Sequence, residues 1–111
     1  MKVAIVGSRA YPHLSKVREY ILNLPLDTII VSGGARGVDK CAEKVANSIG
    51  LQTEIYPADW HKYGKAAGMK RNQQIVEASD KIIAFWDGES KGTKNTIDSA
   101  KKLGKEITVF Q

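Results

Sequence analysis

The apolar positions of this chain fall into two alternating kinds of segment. Short runs rich in β-branched residues occur at 2 to 6 (KVAIV), 28 to 32 (TIIVS), 52 to 56 (QTEIY), 81 to 86 (KIIAFW) and 106 to 110 (EITVF). Their length and composition are those of strands. VAIV and IIAFW show little alternation of polar and apolar residues, which is the pattern of strands covered on both faces, as in a parallel sheet between helices.

Between these runs the apolar spacing becomes helical. Leu14, Val17, Ile21 and Leu24 make one stripe; Val38, Ala42, Val45, Ala46 and Ile49 make another. Ile75, Val76 and Ser79 follow Arg71 and Asn72, while Ile97, Ala100 and Leu103 lead to Gly104, a helix-ending glycine. The alternation predicts an α/β fold, an open doubly wound sheet of about five mainly parallel strands with helices on both faces. At 111 residues the chain has the size of one domain, and no repeat or linker-like stretch divides it. Ligands of such sheets sit beyond the carboxyl ends of the strands, where the winding reverses, so the loops after the strands are the place to look for chemistry.

The first of these loops is Gly7-Ser8-Arg9. A glycine there permits a tight turn, Ser8 offers a hydroxyl, and Arg9 can fork two hydrogen bonds onto a phosphate or carboxylate. The second is Ser32-Gly33-Gly34-Ala35-Arg36-Gly37-Val38-Asp39, which runs from strand into helix. Main-chain amides of such a loop, with the partial positive charge of the helix start, suit a phosphate-bearing ligand; the plainer reading is a sharp corner with Asp39 serving the first helical turn. The stretch is not a G-x-G-x-x-G dinucleotide fingerprint, because Gly33 and Gly34 are adjacent. Nor is GESKGTK at 88 to 94 a phosphate-binding P-loop, since three residues separate its glycines and Thr93 precedes Lys94.

After the third strand, residues 57 to 72 form a connection of about fourteen residues before the next helix, the length of a lid or binding segment. Gly64 and Gly68 are placed as hinges around Trp60 and Tyr63, whose rings can stack on a base or cover the core edge. Arg71 is a candidate phosphate clamp and Asn72 a tie between loops. After the fourth strand, Asp87 and Gly88 precede Ser90, Gly92 and Thr93 at a helix start. This is a second place for an anion, with Asp87 able to accept hydrogen bonds from ribose hydroxyls and Trp86 assigned to the core.

Composition narrows the classes. The chain is 42% hydrophobic and 26% charged, as in folded globular proteins. Its longest apolar stretches are about five residues against the roughly 20 that cross a bilayer, and the amino terminus runs straight into a strand, so no signal peptide and no membrane span are expected. A lone Cys41 and only His13 and His61 exclude a disulfide framework and a zinc set by spacing; no metal or cofactor is expected, and the location expected is the cytoplasm. The net charge of +5 favours anionic partners, phosphates or nucleic acid among them.

On Gly7-Ser8-Arg9, the Ser32 to Asp39 stretch, Arg71-Asn72 and the Trp86-Asp87-Gly88, Ser90 and Gly92-Thr93 cluster, all in order, the chain resembles the SLOG superfamily of Rossmann-like proteins, most of all its stand-alone YspA-like branch. The resemblance implies a Rossmann-like domain over residues 1 to 111 that binds a nucleotide or an ADP-ribose-like derivative at these positions, as a sensor or sequestering module of bacterial or phage systems. It also implies a homodimer or higher homo-oligomer. Two relatives imply alternatives. DNA-processing protein A shares the G-S-R, S-G-G-A-x-G-[IV]-D and R-N series and implies single-stranded DNA as the partner. The Lonely Guy phosphoribohydrolases imply base release from a nucleoside monophosphate; Thr96 stands where their catalytic glutamate would be, which leaves Asp39 and Asp87 as substitutes.

Overall fold

The computed structural model describes residues 1–111. In chain order the elements are β1 (Lys2–Gly7), α1 (Leu14–Leu22), β2 (Ile29–Ser32), α2 (Val38–Ser48), β3 (Gln52–Ile55), α3 (Trp60–Tyr63), a 3-10 turn (Gly64–Ala66), α4 (Ala67–Ala78), β4 (Lys81–Phe85), α5 (Lys91–Lys102) and β5 (Glu106–Phe110). The five strands are all parallel, in the order β3-β2-β1-β4-β5. This is the expected doubly wound, Rossmann-like α/β architecture.

Because strand side chains point alternately to opposite faces, the unbroken apolar runs divide into two cores. Val3, Ile5, Ile30, Ile83 and Phe85 pack with Val17 and Ile21 of α1 and with Val38, Ala42, Val45 and Ala46 of α2. On the other face Ala4, Val6, Val31, Ile82 and Ala84 meet Ile75 and Val76 of α4 and Ile97 and Ala100 of α5. Burying each such Val, Ile or Phe side chain is worth about 1.5–3 kcal/mol. The two helical stripes read at 14 to 24 and 38 to 49 thus face the same side of the sheet. Leu24 lies just beyond the end of α1, half-buried against that core.

The connection at 57 to 72 is more ordered than its glycines suggest. It holds α3, the 3-10 turn and the first half of α4. Gly64 is the turn residue, with φ +53°, but Gly68 lies inside α4 beneath the Trp60 ring and is not a hinge. A helical backbone that satisfies its own hydrogen bonds overrides the local preference of one glycine at a cost of about 1 kcal/mol.

β1 and β4 are neighbours, although α1 carries the chain away from β1 toward β2 and α4 brings it back on the far side. The winding reverses between them. At their carboxyl ends the sheet opens into a cleft of about 390 Å³.

Candidate functional site

Glycine at position 7 is a packing requirement. A Cβ there would lie 2.5 Å from the Phe85 carbonyl oxygen and 2.6 Å from Val38 Cγ2, so only a bare Cα lets β1 end flush against β4 and the start of α2. The next residue locks the two strand ends together. The Ser8 amide donates to the Phe85 carbonyl (3.1 Å), and its buried hydroxyl accepts from the Asp87 amide (3.2 Å). Arg9 and Ala10 then emerge into solvent at the cleft wall.

The glycine-rich stretch after β2 folds mostly onto itself. The Ser32 hydroxyl accepts from the Gly34 amide (3.4 Å), and a carboxylate oxygen of Asp39 accepts from the Ala35 amide (3.3 Å). Gly37, with φ +77°, begins α2 against the backbone of Arg9: a Cβ there would sit 2.5 Å from the Arg9 carbonyl oxygen. These glycines serve close approach of the chain to itself, and Gly33 and Gly34 do not line the cleft. Only Ala35 and Asp39 of this segment reach it.

Asp39 is a buried carboxyl at the start of α2. Desolvation pushes its pKa from 3.8 up to about 6, against the backbone hydrogen bond from Ala35 and the positive charge of Arg71, which favour the ionised form. Arg71, on α4, donates through Nη1 to the Gly33 carbonyl (3.0 Å) and through Nε to Asn72 Oδ1 (3.0 Å). Its side chain fills the space above Gly33, where a Cβ would lie 2.6 Å from Nη1. A guanidinium has five donors, and the Nη2 amino group has no partner in the protein. The Asn72 amide continues the tie across the cleft, donating to the Gly92 carbonyl (3.3 Å) and to Asn95 Oδ1 (3.2 Å).

The fourth wall is the start of α5. Asp87 Oδ1 accepts from the amides of Glu89 and Ser90, both at 2.9 Å, and these hydrogen bonds, that of Ser90 foremost, hold its carboxyl below the usual range. Asp87 is therefore ionised at neutral pH. The Ser90 hydroxyl caps α5 by accepting from the Thr93 amide (3.3 Å) and the Thr93 hydroxyl (3.1 Å). The amides of Lys91 and Gly92 donate to no protein group. They lie at the positive end of a 12-residue helix, the arrangement that attracts anions. Thr96 lines the cleft one turn further on and donates to the Gly92 carbonyl (3.2 Å).

Of the positions singled out from the sequence, the structure brings Gly7, Arg9, Asp39, Arg71, Asn72, Asp87, Ser90, Gly92 and Thr93 into one cleft. Ser8 and Ser32 are buried beneath it as ties, and Arg36, Gly37 and Gly88 lie outside its lining. Trp60 does not reach it and is 58% exposed. Tyr63 lines a neighbouring hollow of about 500 Å³ with Tyr56, Lys62, Lys70 and Arg71. There the Lys62 and Lys70 ammonium groups lie 5.1 and 5.7 Å from the Tyr63 ring centre. Sequence reasoning missed Val6, Ala10, Ala35 and Ile75 as lining residues. Helical spacing was the available signal for Ile75, four residues from Arg71 and three from Asn72.

The cleft combines two arginines, a helix start whose free Gly92 amide lines it, and two carboxylates in different electrostatic states, Asp39 with its pKa raised to about 6 and Asp87 held below the usual range. Such a set can hold an anion against the amides while a carboxylate receives hydroxyl donors.

Comparison with known proteins supplies relatives. The gene 61 protein of Mycobacterium phage D29 is 33% identical over 119 aligned residues that cover 98% of this chain and 95% of that protein. Among solved structures, DNA processing protein A from Streptococcus pneumoniae superposes with a TM-score of 0.84 at 24% identity over 97% of this chain. DNA processing protein A from Helicobacter pylori, whose structure concerns its single-stranded DNA binding mode, superposes with a TM-score of 0.63 at 25% identity over 98% of this chain. The chain spans 49% of the Streptococcus protein and 64% of the Helicobacter one. The model of the YspA, cpYpsA-related SLOG family matches residues 1–63, the half that contributes β1, β2 and the Ser32 to Asp39 corner, and by this match and the phage relative the chain belongs to that family.

Proposed function

We propose that the chain binds a nucleotide or an ADP-ribose-like nucleotide derivative in the cleft between β1 and β4, acting as a sensor or sequestering module. The observation that carries this reading is the pair of unpartnered amides, Lys91 and Gly92, at the α5 amino terminus, where Gly92 lines the cleft that also holds Arg9 and Arg71. A phosphate there accepts from both amides, gains from the helix dipole and meets the free Nη2 group of Arg71. Asp87 keeps one carboxylate oxygen free for ribose hydroxyls, since its Oδ1 already holds the amides of Glu89 and Ser90. Single-stranded DNA is the second reading. It is favoured by the likeness to the Helicobacter DNA processing protein A and by the charge of +5, and in it one backbone phosphate occupies the same place. The supporting geometry is that of binding: Thr96, at the position of the phosphoribohydrolase glutamate, is a hydroxyl engaged with its own helix.

A thermal-shift panel of AMP, ADP-ribose, NAD and an oligothymidylate tests this. A ligand at about 100 times its dissociation constant adds roughly 2.7 kcal/mol to stability and raises Tm. Gly92→Val is the matched control, because a Cβ at Gly92 meets no atom within 4 Å while a branched side chain there shields the amides. The variant should fold as well as the parent and lose the shift. A full panel without any shift, or a shift that survives in Gly92→Val, refutes the proposed site. DNA binding separates from nucleotide binding by its steep fall with salt.

A further inference from the structure

The last strand of the sheet is built to receive another strand. β5 ends the order β3-β2-β1-β4-β5, so one of its edges is free. The Trp86 amide donates to the Phe110 carbonyl (2.8 Å), which turns the polar backbone groups of Phe110 toward β4. By the alternation of a strand, those of Thr108 and Glu106 point the same way, and those of Ile107 and Val109 point outward. Free sheet edges are ordinarily guarded by proline, lysine, a bulge or a covering segment. Here the two outward residues are apolar and β-branched, the strand contains no proline, and Val109 is 39% exposed. The strand's one charge, Glu106, is met by Lys81 at 3.8 Å, so the edge carries no net local charge to repel a like edge. The opposite edge differs. β3 has four residues, carries Glu54, and is followed closely by Pro57.

β5 is also held rigid before any partner arrives. The Phe110 ring stacks on Phe85 with centroids 5.2 Å apart, Tyr20 packs edge-on to it at 6.0 Å, and the Tyr11 hydroxyl donates to the Gln111 carbonyl (3.1 Å). Little ordering entropy is left to lose on pairing.

We propose that β5 pairs antiparallel with β5 of a second copy of this chain, about a two-fold axis through Thr108, so that two five-stranded sheets become one continuous sheet. This register uses both outward residues. Ile107 exchanges two backbone hydrogen bonds with Val109 of the second copy, and Val109 does the same with Ile107 of the second copy. Ile-Thr-Val is β-branched read in either direction, so the strand is its own complement, as an isologous interface requires. Glu106 falls opposite Phe110 of the second copy, and no like charges face each other. A single strand pair is small beside the about 1,200–2,000 Å² of a stable interface, so this dimer belongs to the weak class, and we place its dissociation constant in the micromolar range.

The test combines mass and cross-linking. Light scattering at about 100 µM, well above a micromolar dissociation constant, should give twice the 12.2 kDa chain mass. Val109→Pro removes only an outward donor and leaves the ladder to β4, so it should give a folded monomer by circular dichroism. In a Cys41→Ser background, Thr108→Cys places two thiols in a non-hydrogen-bonded pair with Cα atoms about 4.5 Å apart, within disulfide reach, and should cross-link on oxidation. Val109→Cys, offset from its own copy, should cross-link far less. A monomer at that concentration, a dimer that persists in Val109→Pro, or equal cross-linking by the two cysteine variants overturns the proposal.

Discussion

Replacing Asp39 by asparagine should uncouple much of the pH dependence of stability from this fold. Asp39 is 6% exposed and its carboxyl titrates near 6 in the folded protein, against 3.8 when solvated. At 1.36 kcal/mol for each tenfold change in proton affinity, that displacement corresponds to about 3 kcal/mol. The sign follows from the direction. Because the folded state holds the proton more tightly, the group's contribution to stability is fully present below pH 3.8 and is lost as pH rises through about 6. Asparagine keeps an oxygen to accept from the Ala35 amide but carries no charge to desolvate. The wild-type stability minus that of Asp39→Asn should therefore fall by about 2 kcal/mol between roughly pH 4.5 and 7.5, as the same linkage gives. Urea unfolding of both proteins across that range measures it, and the other titrating groups cancel in the difference. A difference that stays constant with pH would show that Asp39 is solvated or compensated in the folded state, and would refute this account of its environment.

Three further outcomes follow from the geometry. Arg71→Ala should weaken binding of a phosphate-bearing ligand by about 1.5–3 kcal/mol, read by calorimetry, since a charge-assisted hydrogen bond is lost. Gly37→Ala should cost at least about 3 kcal/mol in a denaturant titration, because it combines a positive φ with a Cβ driven into the Arg9 carbonyl. Phe85→Ala should cost about 3–5 kcal/mol by the same measurement, because the 1%-exposed ring lies in the core and under the Phe110 stack.

Much of the architecture was legible in the chain because it is local and periodic. Unbroken β-branched runs at 2 to 6 and 81 to 86 implied strands covered on both faces, and the stripes at 14 to 24 and 38 to 49 implied helices; each pattern reflects a backbone geometry that repeats every two or 3.6 residues. The loops that meet around the cleft were also legible, since a doubly wound sheet places them at one rim. Their division of labour was not. Three glycines near a helix start read as an anion seat, with a sharp corner as the plainer alternative, and what separates the two is tertiary: Arg71, 38 residues away, fills the space over Gly33, and the buried Asp39 takes the Ala35 amide. Amides without a protein partner remain at both helix starts, but Arg36, Gly37 and Val38 at the start of α2 lie outside the cleft, whereas Gly92 of α5 lines it, because the caps offered by Ser90 and Asp87 take only the amides of Glu89, Ser90 and Thr93. Segment 57 to 72 looked like a loop because its turn residues are local, whereas α3 is held by the Asp59 cap on the Lys62 amide and α4 by the burial of Ala67 and Asn72, which no apolar stripe displays. Periodicity along the chain therefore settled which elements form and in what order; which donors stay empty, and how far a buried carboxyl is shifted, was decided when non-neighbouring residues were brought within hydrogen-bonding distance and water was removed from between them.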